Sequence, residues 1–355
     1  MITRAFYLCL ALFASTSSQA STYTTDSYYL PALYSIVPRG QGTISATAIS
    51  DSGQILGSYN ITTSGTSGLF SYANGVATAF PYPTASYFPE SVGSSSSGSV
   101  VGTYQSSYAT GVTHGFQYSN GVYTTIDHPG VNQQTTSPFG TSLTGINNSG
   151  QIVGNYGNNY VNGVYSVSTH AFTYSNGVFT TIDHPNASHT TAYSINNNGQ
   201  IVGTINSYSN VTQRALYSGF IYNNGVFSQL DFPSAGGYGT FITGNNDLGQ
   251  VVGYYYDSSY VTHGFEYFNG VYTPLPLANY VNSSDSSFPQ TLNNYVYDIN
   301  NNGQILGAIQ IPSGYSNVTY TVVLTPVPEP FTYGMMLAGL GIVGVVVRRS
   351  KQAEA

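Results

Sequence analysis

The stretch GINNSGQIVGNY at residues 145–156, followed after a variable linker by HAFTYSNGVFTTIDHPN at 170–186, holds two turns of different chemistry. The first, better seen in Ile195-Asn196-Asn197-Asn198-Gly199-Gln200-Ile201, sets polar turn formers between β-branched residues, with a glycine free to take the positive φ of a type I turn plus bulge. Its counterparts are Gly53, Gly98, Gly150, Gly249 and Gly303. The second is Asn176-Gly177 between alternating apolar runs, the pattern of a type I′ hairpin, whose two central residues are both left-handed. It recurs at Asn74-Gly75, Asn120-Gly121, Asn224-Gly225 and Asn269-Gly270.

Two hairpins per unit make four short strands. In the copy at 191–232 they are expected at 191–195, 200–205, 218–223 and 226–230, each bounded by turn residues. The first-turn glycines step by 45, 52, 49, 50 and 54 residues, the period of propeller blades rather than of most solenoids. The last unit stops after its third strand, near Leu324, while residues 32–38 near the start look like an unpaired fourth strand. The expected fold is therefore all-β: a six-bladed β-propeller in which an N-terminal strand completes the last blade, and closure leaves few sheet edges exposed.

The ends give the address. Arg4, an apolar run from Phe6 to Ala14 and Ser18-Gln19-Ala20 form a secretory signal over 1–20, which places Cys9 in the leader and leaves the exported chain without a thiol. The propeller is expected over 21–326. With 34 Tyr and 40 Gly but only 5% charged residues, the body reads as aromatic strands and small turns rather than as a charged disordered chain. Arg39 and Arg214 are its only basic residues, so it lacks the footprint of a nucleic-acid binder and has no Coulombic attraction for an anionic polymer.

At the other end, Pro328-Glu329-Pro330 precedes an uncharged run, 331–347, dotted with Gly334, Gly339, Gly341 and Gly344, and then Arg348, Arg349 and Lys351. The run is just long enough for a transmembrane helix, and the basic cluster places the C-terminus in the cytoplasm. This order over 327–355 resembles the PEP-CTERM sorting signal of Gram-negative bacteria. The resemblance implies an exosortase as partner, transient membrane anchoring through the helix, cleavage near Pro-Glu-Pro, and export linked to extracellular polysaccharide. In the body, His114-Gly115-Phe116, His170-Ala171-Phe172 and His263-Gly264-Phe265 resemble the HAF repeats of bacterial extracellular proteins, which implies a repeat body of undefined biochemical role.

The candidate chemistry is sparse. Asp127-His128 and Asp183-His184 set carboxylates beside imidazoles, but neighbours on a strand face opposite ways, so the expectation is a histidine bonding the next blade and an Asp-x-Pro turn. Asp298, Asn300 and Asn302 before Gly303 imitate the start of a calcium loop, yet the other copies do not keep the carboxylate, which favours a plain Asx turn. No metal, cofactor or catalytic residue is assigned. Variable linkers at 155–168 and 257–262 carry Tyr156, Tyr160, Tyr254, Tyr255, Tyr256 and Tyr260 in or beside them, candidates for stacking on the sugar rings of an exopolysaccharide. The expected role is a non-catalytic surface or biofilm-matrix protein. The alternative is a secreted glycan-active hydrolase or lyase, for which two carboxylates about 5–10 Å apart in a cleft would speak.

Overall fold

The computed structural model describes residues 23–26, 36, 42–80, 87–106, 112–131, 140–161, 164–209, 214–277, 292–313 and 316–327, which form twenty-four strands in six four-stranded antiparallel sheets. Blade 1 is β2 (Gly42–Ile49), β3 (Ile55–Ile61), β4 (Thr66–Ala73) and β5 (Val76–Phe80). Blade 2 runs through β6 (Tyr87–Ser94), β7 (Val100–Gln105), β8 (Thr113–Ser119) and β9 (Val122–Ile126); blade 3 through β10 (Thr141–Ile146), β11 (Ile152–Val161), β12 (Val164–Ser175) and β13 (Val178–Thr181). Blade 4 holds β14 (His189–Ile195), β15 (Ile201–Ser209), β16 (Arg214–Asn223) and β17 (Val226–Leu230), and blade 5 holds β18 (Thr240–Asn245), β19 (Val251–Tyr256), β20 (Thr262–Phe268) and β21 (Val271–Pro274). Blade 6 is β22 (Asn293–Ile299), β23 (Ile305–Ser313) and β24 (Ser316–Pro326), completed at its outer edge by β1 (Tyr23–Asp26).

The first strands touch one another in sequence around an axis, and the contact of β2 with β22 closes the ring. Both turns have the backbone their residues require. The six first-turn glycines have φ between 73° and 85°, and Asn176 and Gly177 sit at 52° and 82°, as do their counterparts within a few degrees. Every first strand also carries a register shift, for example between Leu143 and Gly145, between Ala192 and Ser194 and between Ile242 and Gly244. The extra residue at this bulge is Val92 in blade 2 and Thr47, Thr144, Tyr193, Thr243 or Tyr297 in the others. Thr144, Tyr193, Thr243 and Tyr297 line the depression on the axis.

The core lies between blades. Phe70, Phe116, Phe172, Phe220 and Phe265 occupy one position of the third strand and are 0–1% exposed. Each is paired with a glycine on the second strand. The ring lies over that glycine: a Cβ on Gly57 or Gly154 would come within 2.7 Å of Phe70 or Phe172. Burying each Phe contributes roughly 1.5–3 kcal/mol, and the glycine opposite gives it the room.

Two expectations need correction. The closing strand is Tyr23–Asp26, paired from Tyr23 opposite Pro326 to Asp26 opposite Val323, not 32–38. Of that segment only Ile36 is described, and it is a turn residue packed on the blade 1 core. Only three residues separate Pro38 from β2, too few to cross comfortably from the outer edge of one blade, past three strand spacings of about 4.8 Å, to the axis of the next. Starting from Asp26, the chain has residues 27–41 for that crossing. The second correction concerns the linker at 155–168. It is mostly strand, because β11 and β12 extend as a long hairpin, and β15 with β16 and β23 with β24 do likewise. Alternating Tyr and Val around Tyr160, Val161, Val164 and Tyr165 favour that extension. The signal at 1–20 and the helix expected over 331–347 lie outside the described residues. Among the described residues no helix is long and apolar enough to cross a membrane.

Candidate functional site

The ring has two faces. One carries all the first-turn and Asn-Gly turns; the other carries the second-to-third-strand connections and the crossings between blades. On the turn face, one asparagine in each of blades 3 to 6 builds a collar, with Ser50 and Ser95 at the same position of blades 1 and 2. The Oδ1 of Asn147, Asn196, Asn246 and Asn300 accepts the N–H two and four residues ahead, as in Asn300 with Asn302 and Gln304 at 3.1 and 2.9 Å. Their Nδ2 donates to the same carbonyl of the next blade: Asn196 O, Asn246 O, Asn300 O and, across the closure, Ser50 O at 2.8 Å. The next residue repeats the device. The N–H of Ser96, Asn148, Asn197, Asp247 and Asn301 donates to a side-chain oxygen of Asn148, Asn197, Asp247, Asn301 and Asp51.

This arrangement answers two questions of chemistry. Asp51 and Asp247 both accept from Asn301 Nδ2, at 3.0 and 2.8 Å, so a close carboxylate pair stands at the axial depression. Both also clip blades together, accepting from Asn197 and Asn301. Asp298, also on the axis, accepts from Ile49 N and Ile299 N at 2.9 Å. Burial pushes its carboxyl up to about 7 against those two bonds, and Asp51 adds to the rise. The oxygens of Asp298, Asn300 and Asn302 therefore do not converge as a calcium loop would require. Among the described residues no three His, Cys, Asp or Glu side chains are grouped to hold a metal.

The repeated histidines bond within their own blades, which corrects the expectation of a bond to the next. His114 Nδ1 lies 2.7 Å from Asp127 Oδ2, and His170 Nδ1 lies 2.6 Å from Asp183 Oδ2. The same carboxylates accept Gly115 N and Ala171 N at 3.3 Å. In blade 4, which has no such histidine, Asp231 still accepts Gly219 N at 3.0 Å, so the aspartate's recurrent role is to tie the end of the fourth strand to the third. His114 Nε2 is 3.1 Å from Ser106 Oγ and His170 Nε2 is 3.1 Å from Ser168 Oγ, which lines up serine, histidine and aspartate twice. The two serines come from different strand positions, unlike the repeated pair they join. Asp127 and His128 do point apart: His128 stacks on Tyr156 of the next blade at 3.7 Å.

These contacts split the histidines by pH. The bonds to Asp127 and Asp183 raise His114 and His170 above 6.5, with burial opposing. Burial, and then the charge of His170, lowers His128 and His189. The first pair adds stability that is complete below the unfolded value near 6.5 and fades as pH rises through the raised folded values; the second pair's contribution is present above 6.5 and fades as pH falls through the lowered ones. An NMR titration is expected to show two histidines above 6.5 and two below, and Asp127→Asn is expected to bring His114 down while leaving His170 in place.

The candidate tyrosines separate by side of the sheet. Tyr255, 9% exposed, is stacked on Phe232 at 3.9 Å and on His263 at 5.2 Å inside the core between blades 4 and 5. Tyr156 holds the same place in blade 3, between His128 and His170. Both are packing residues, so as ligand contacts they do not fit their surroundings. Tyr160's side chain lies outside what the structure describes, as do Pro328, Glu329, Pro330, Arg348, Arg349 and Lys351. Tyr254, Tyr256 and Tyr260 instead belong to a connected set of rings that sequence reading did not complete. Tyr217 meets Phe241 (4.8 Å), Phe241 is stacked on Tyr254 (5.1 Å, 8°), and Tyr254 meets Tyr295 (5.1 Å). Tyr256 meets Tyr238 (5.2 Å), and Tyr238 meets Tyr260 (5.3 Å). All seven sit at the strand ends of the loop face in blades 4 to 6, and Tyr238 and Tyr260 are 48% and 43% exposed. At the place of the Phe241–Tyr254 pair, blades 1 and 3 have Ser45–Ser58 and Ser142–Asn155.

Comparison with known proteins bears first on the tail. Residues 326–350 match the PEP-CTERM protein-sorting motif. That motif implies export in a Gram-negative bacterium and membrane-associated processing by an exosortase. Residues 122–232, from β9 to the end of blade 4, match a family described as protein of unknown function, DUF3466. No curated protein matches the chain. Solved structures similar to it include a mutant of AofleA from Arthrobotrys oligospora (14% identity, 89% of this chain and 93% of that one, TM-score 0.48) and the fucose-specific lectin from Aleuria aurantia (14%, 82% and 98%, 0.45). Polysaccharide lyase Uly1 is similar at 10% identity over 81% and 78%, with a TM-score of 0.45. Likenesses this distant bear nothing on the ligand.

Proposed function

We propose that this chain is an exported, non-catalytic protein of the cell surface or exopolysaccharide matrix that holds glycan through the rings on the loop face of blades 4 to 6. The supporting observation is the break in the repeat. Positions that recur are structural, the collar asparagines joining blades and the Asp–His pairs tying strands within a blade, whereas among the described residues the aromatic set occurs on one side of the ring only. Tyrosine and phenylalanine offer flat apolar faces to the C–H face of a sugar, with tyrosine hydroxyls at the edge. In this reading residues 1–20 are removed on export, the helix at 331–347 holds the protein briefly in the membrane with Arg348, Arg349 and Lys351 on the cytoplasmic side, and an exosortase cuts near Pro328-Glu329-Pro330. The HAF resemblance of the body is part of the same proposal.

A glycan-active hydrolase is the second reading, favoured by the close carboxylates of Asp51 and Asp247 at the axial depression. One experiment addresses both. The protein is passed over the native host's exopolysaccharide, with the polymer's chain length followed and a Tyr238→Ala/Tyr260→Ala variant run beside it. Retention is expected for the wild type and an approximately tenfold weaker hold for the variant, with the polymer intact. Lack of wild-type retention would sink the binding reading, and shortening of the polymer that stops in Asp247→Asn would replace it with the hydrolytic one.

A further inference from the structure

We propose that the loop-face end of blade 4 contains a pocket for a single uncharged sugar ring; this deepens the glycan-binding reading and rests on it. Three neighbouring blades treat one place differently. In blade 3 it is Ser142 beside Asn155, whose amide closes on the next blade by donating to Ala192 O at 2.9 Å and accepting Ala192 N at 2.8 Å. In blade 5 it is filled by the stacked rings of Phe241 and Tyr254. Blade 4 has two short side chains there, Thr191 beside Thr204, and a cavity of about 260 Å³ remains.

The cavity is polar and incompletely satisfied. Thr204 lines it, is 3% exposed, and its Oγ1 has no hydrogen-bond partner. An orphaned buried hydroxyl is a cost to the fold, which a polar ligand relieves. The adjoining cross-strand row, His189, Asn206 and Tyr217, completes the wall. His189 stands where blades 3 and 5 have Gly140 and Gly239, glycines pressed against the backbone of Thr113 and Tyr217. Its Nδ1 accepts Thr169 N at 3.1 Å, so the neutral ring carries its proton on Nε2 and offers a donor. Burial, with the charge of His170, favours that neutral form, and burial keeps Tyr193 a phenol, its pKa pushed up to about 12.

Among the described residues the lining thus presents hydroxyls, an amide, an imidazole N–H and two phenol rings, and no Asp, Glu, Lys or Arg. Sugar hydroxyls both donate and accept, and match such a wall; a uronic acid would bury its carboxylate without a countercharge, which is costly. The volume is at the small end of ligand sites, roughly 300–1,000 Å³, and suits one ring, a branch or chain end, rather than a run of them.

The test uses the full-length protein with glucose, galactose, rhamnose and glucuronate as probes, followed by saturation-transfer NMR and calorimetry. At least one neutral sugar is expected to bind, with glucuronate ten or more times weaker. Thr204→Val removes the orphaned hydroxyl and is expected to weaken the neutral sugar about tenfold while Tm holds or rises; Thr204→Ser is expected to bind as wild type. Thr191→Phe/Thr204→Tyr copies the filling of blade 5 and is expected to abolish binding. Equal binding of glucuronate, or undiminished sugar binding in Thr204→Val and in the filled variant, overturns the pocket. If those variants also keep polymer retention, the pocket falls and the broader reading stands; if the wild type retains no polymer, both fall.

Discussion

Phe172→Ala is expected to destabilise the protein by about 3–5 kcal/mol and to lower Tm by roughly 10 °C, the cost of removing a fully buried ring and leaving a cavity. The ring touches more than its own blade. It lies over Gly154, edges Phe179 at 5.3 Å in its own sheet, and meets His128 of blade 2 at 5.2 Å. With Val101, Ile126, Leu143, Ile146 and Ile152 it forms the cluster between blades 2 and 3, and its loss leaves a gap that two rigid sheets cannot close. Denaturant unfolding would check the value. A loss below about 1 kcal/mol would mean that the blades are not packed through this position.

Asn300→Ala is expected to cost about 2–4 kcal/mol and to open the ring at the joint between the last and first blades. The residue is 3% exposed and bonds in two directions. Its Oδ1 caps the turn through Asn302 N and Gln304 N, and its Nδ2 donates to Ser50 O and to Gln304 Oε1 at 2.8 Å. Alanine orphans these buried groups, and each costs about 1–3 kcal/mol unless water reaches it. Ser50→Ala is expected to cost much less, about 1 kcal/mol, because the serine hydroxyl bonds only Gln54 N and the exposed Ser52 hydroxyl within its own turn, and Asn300 donates to a backbone carbonyl that alanine keeps. Hydrogen exchange would show the difference as early loss of protection in β2 and β22 for Asn300→Ala alone.

Much of the fold was legible because its turns are local chemistry. Asn-Gly and Asn/Ser-x-x-Gly state their backbone conformations in two to four residues, and five copies of the first with six of the second count the blades and place an N-terminal strand in the last. The identity of that strand was not legible from pattern: 32–38 has the better strand composition, and what excludes it is the distance a connection must span to reach the axis. The bulge in each first strand was hidden for a similar reason, since no residue type marks it. Thr47, Thr144 and Thr243 recur there, but their register is set by the partner strand.

The candidate site was less legible. His114 and Asp127 are thirteen residues apart and meet only because β8 and β9 pair through the Asn-Gly hairpin, whose register brings the end of the fourth strand beside the third. The adjacency of Asp127 and His128 drew attention to two residues on opposite faces. Tyr254, Tyr255 and Tyr256 carried a usable signal. Alternation along a strand places Tyr255 opposite its neighbours, and its repeat counterparts Tyr104 and Tyr156 each face a histidine across the ladder. The cavity at Thr204 had no positive signal, because it arises from what blades 3 and 5 have and blade 4 lacks.

The central claim is that recurrent positions hold the ring and departures from the repeat carry the function. It is tested most directly by measuring Tm and retention on the host's exopolysaccharide together for Asn300→Ala and for Tyr238→Ala/Tyr260→Ala. The account predicts a crossed result: Asn300→Ala loses several degrees of Tm but, at a temperature where it stays folded, is retained as well as wild type, whereas the double tyrosine variant keeps its Tm and is held about tenfold more weakly. Retention lost in Asn300→Ala while folded, or kept in the tyrosine variant, would contradict it.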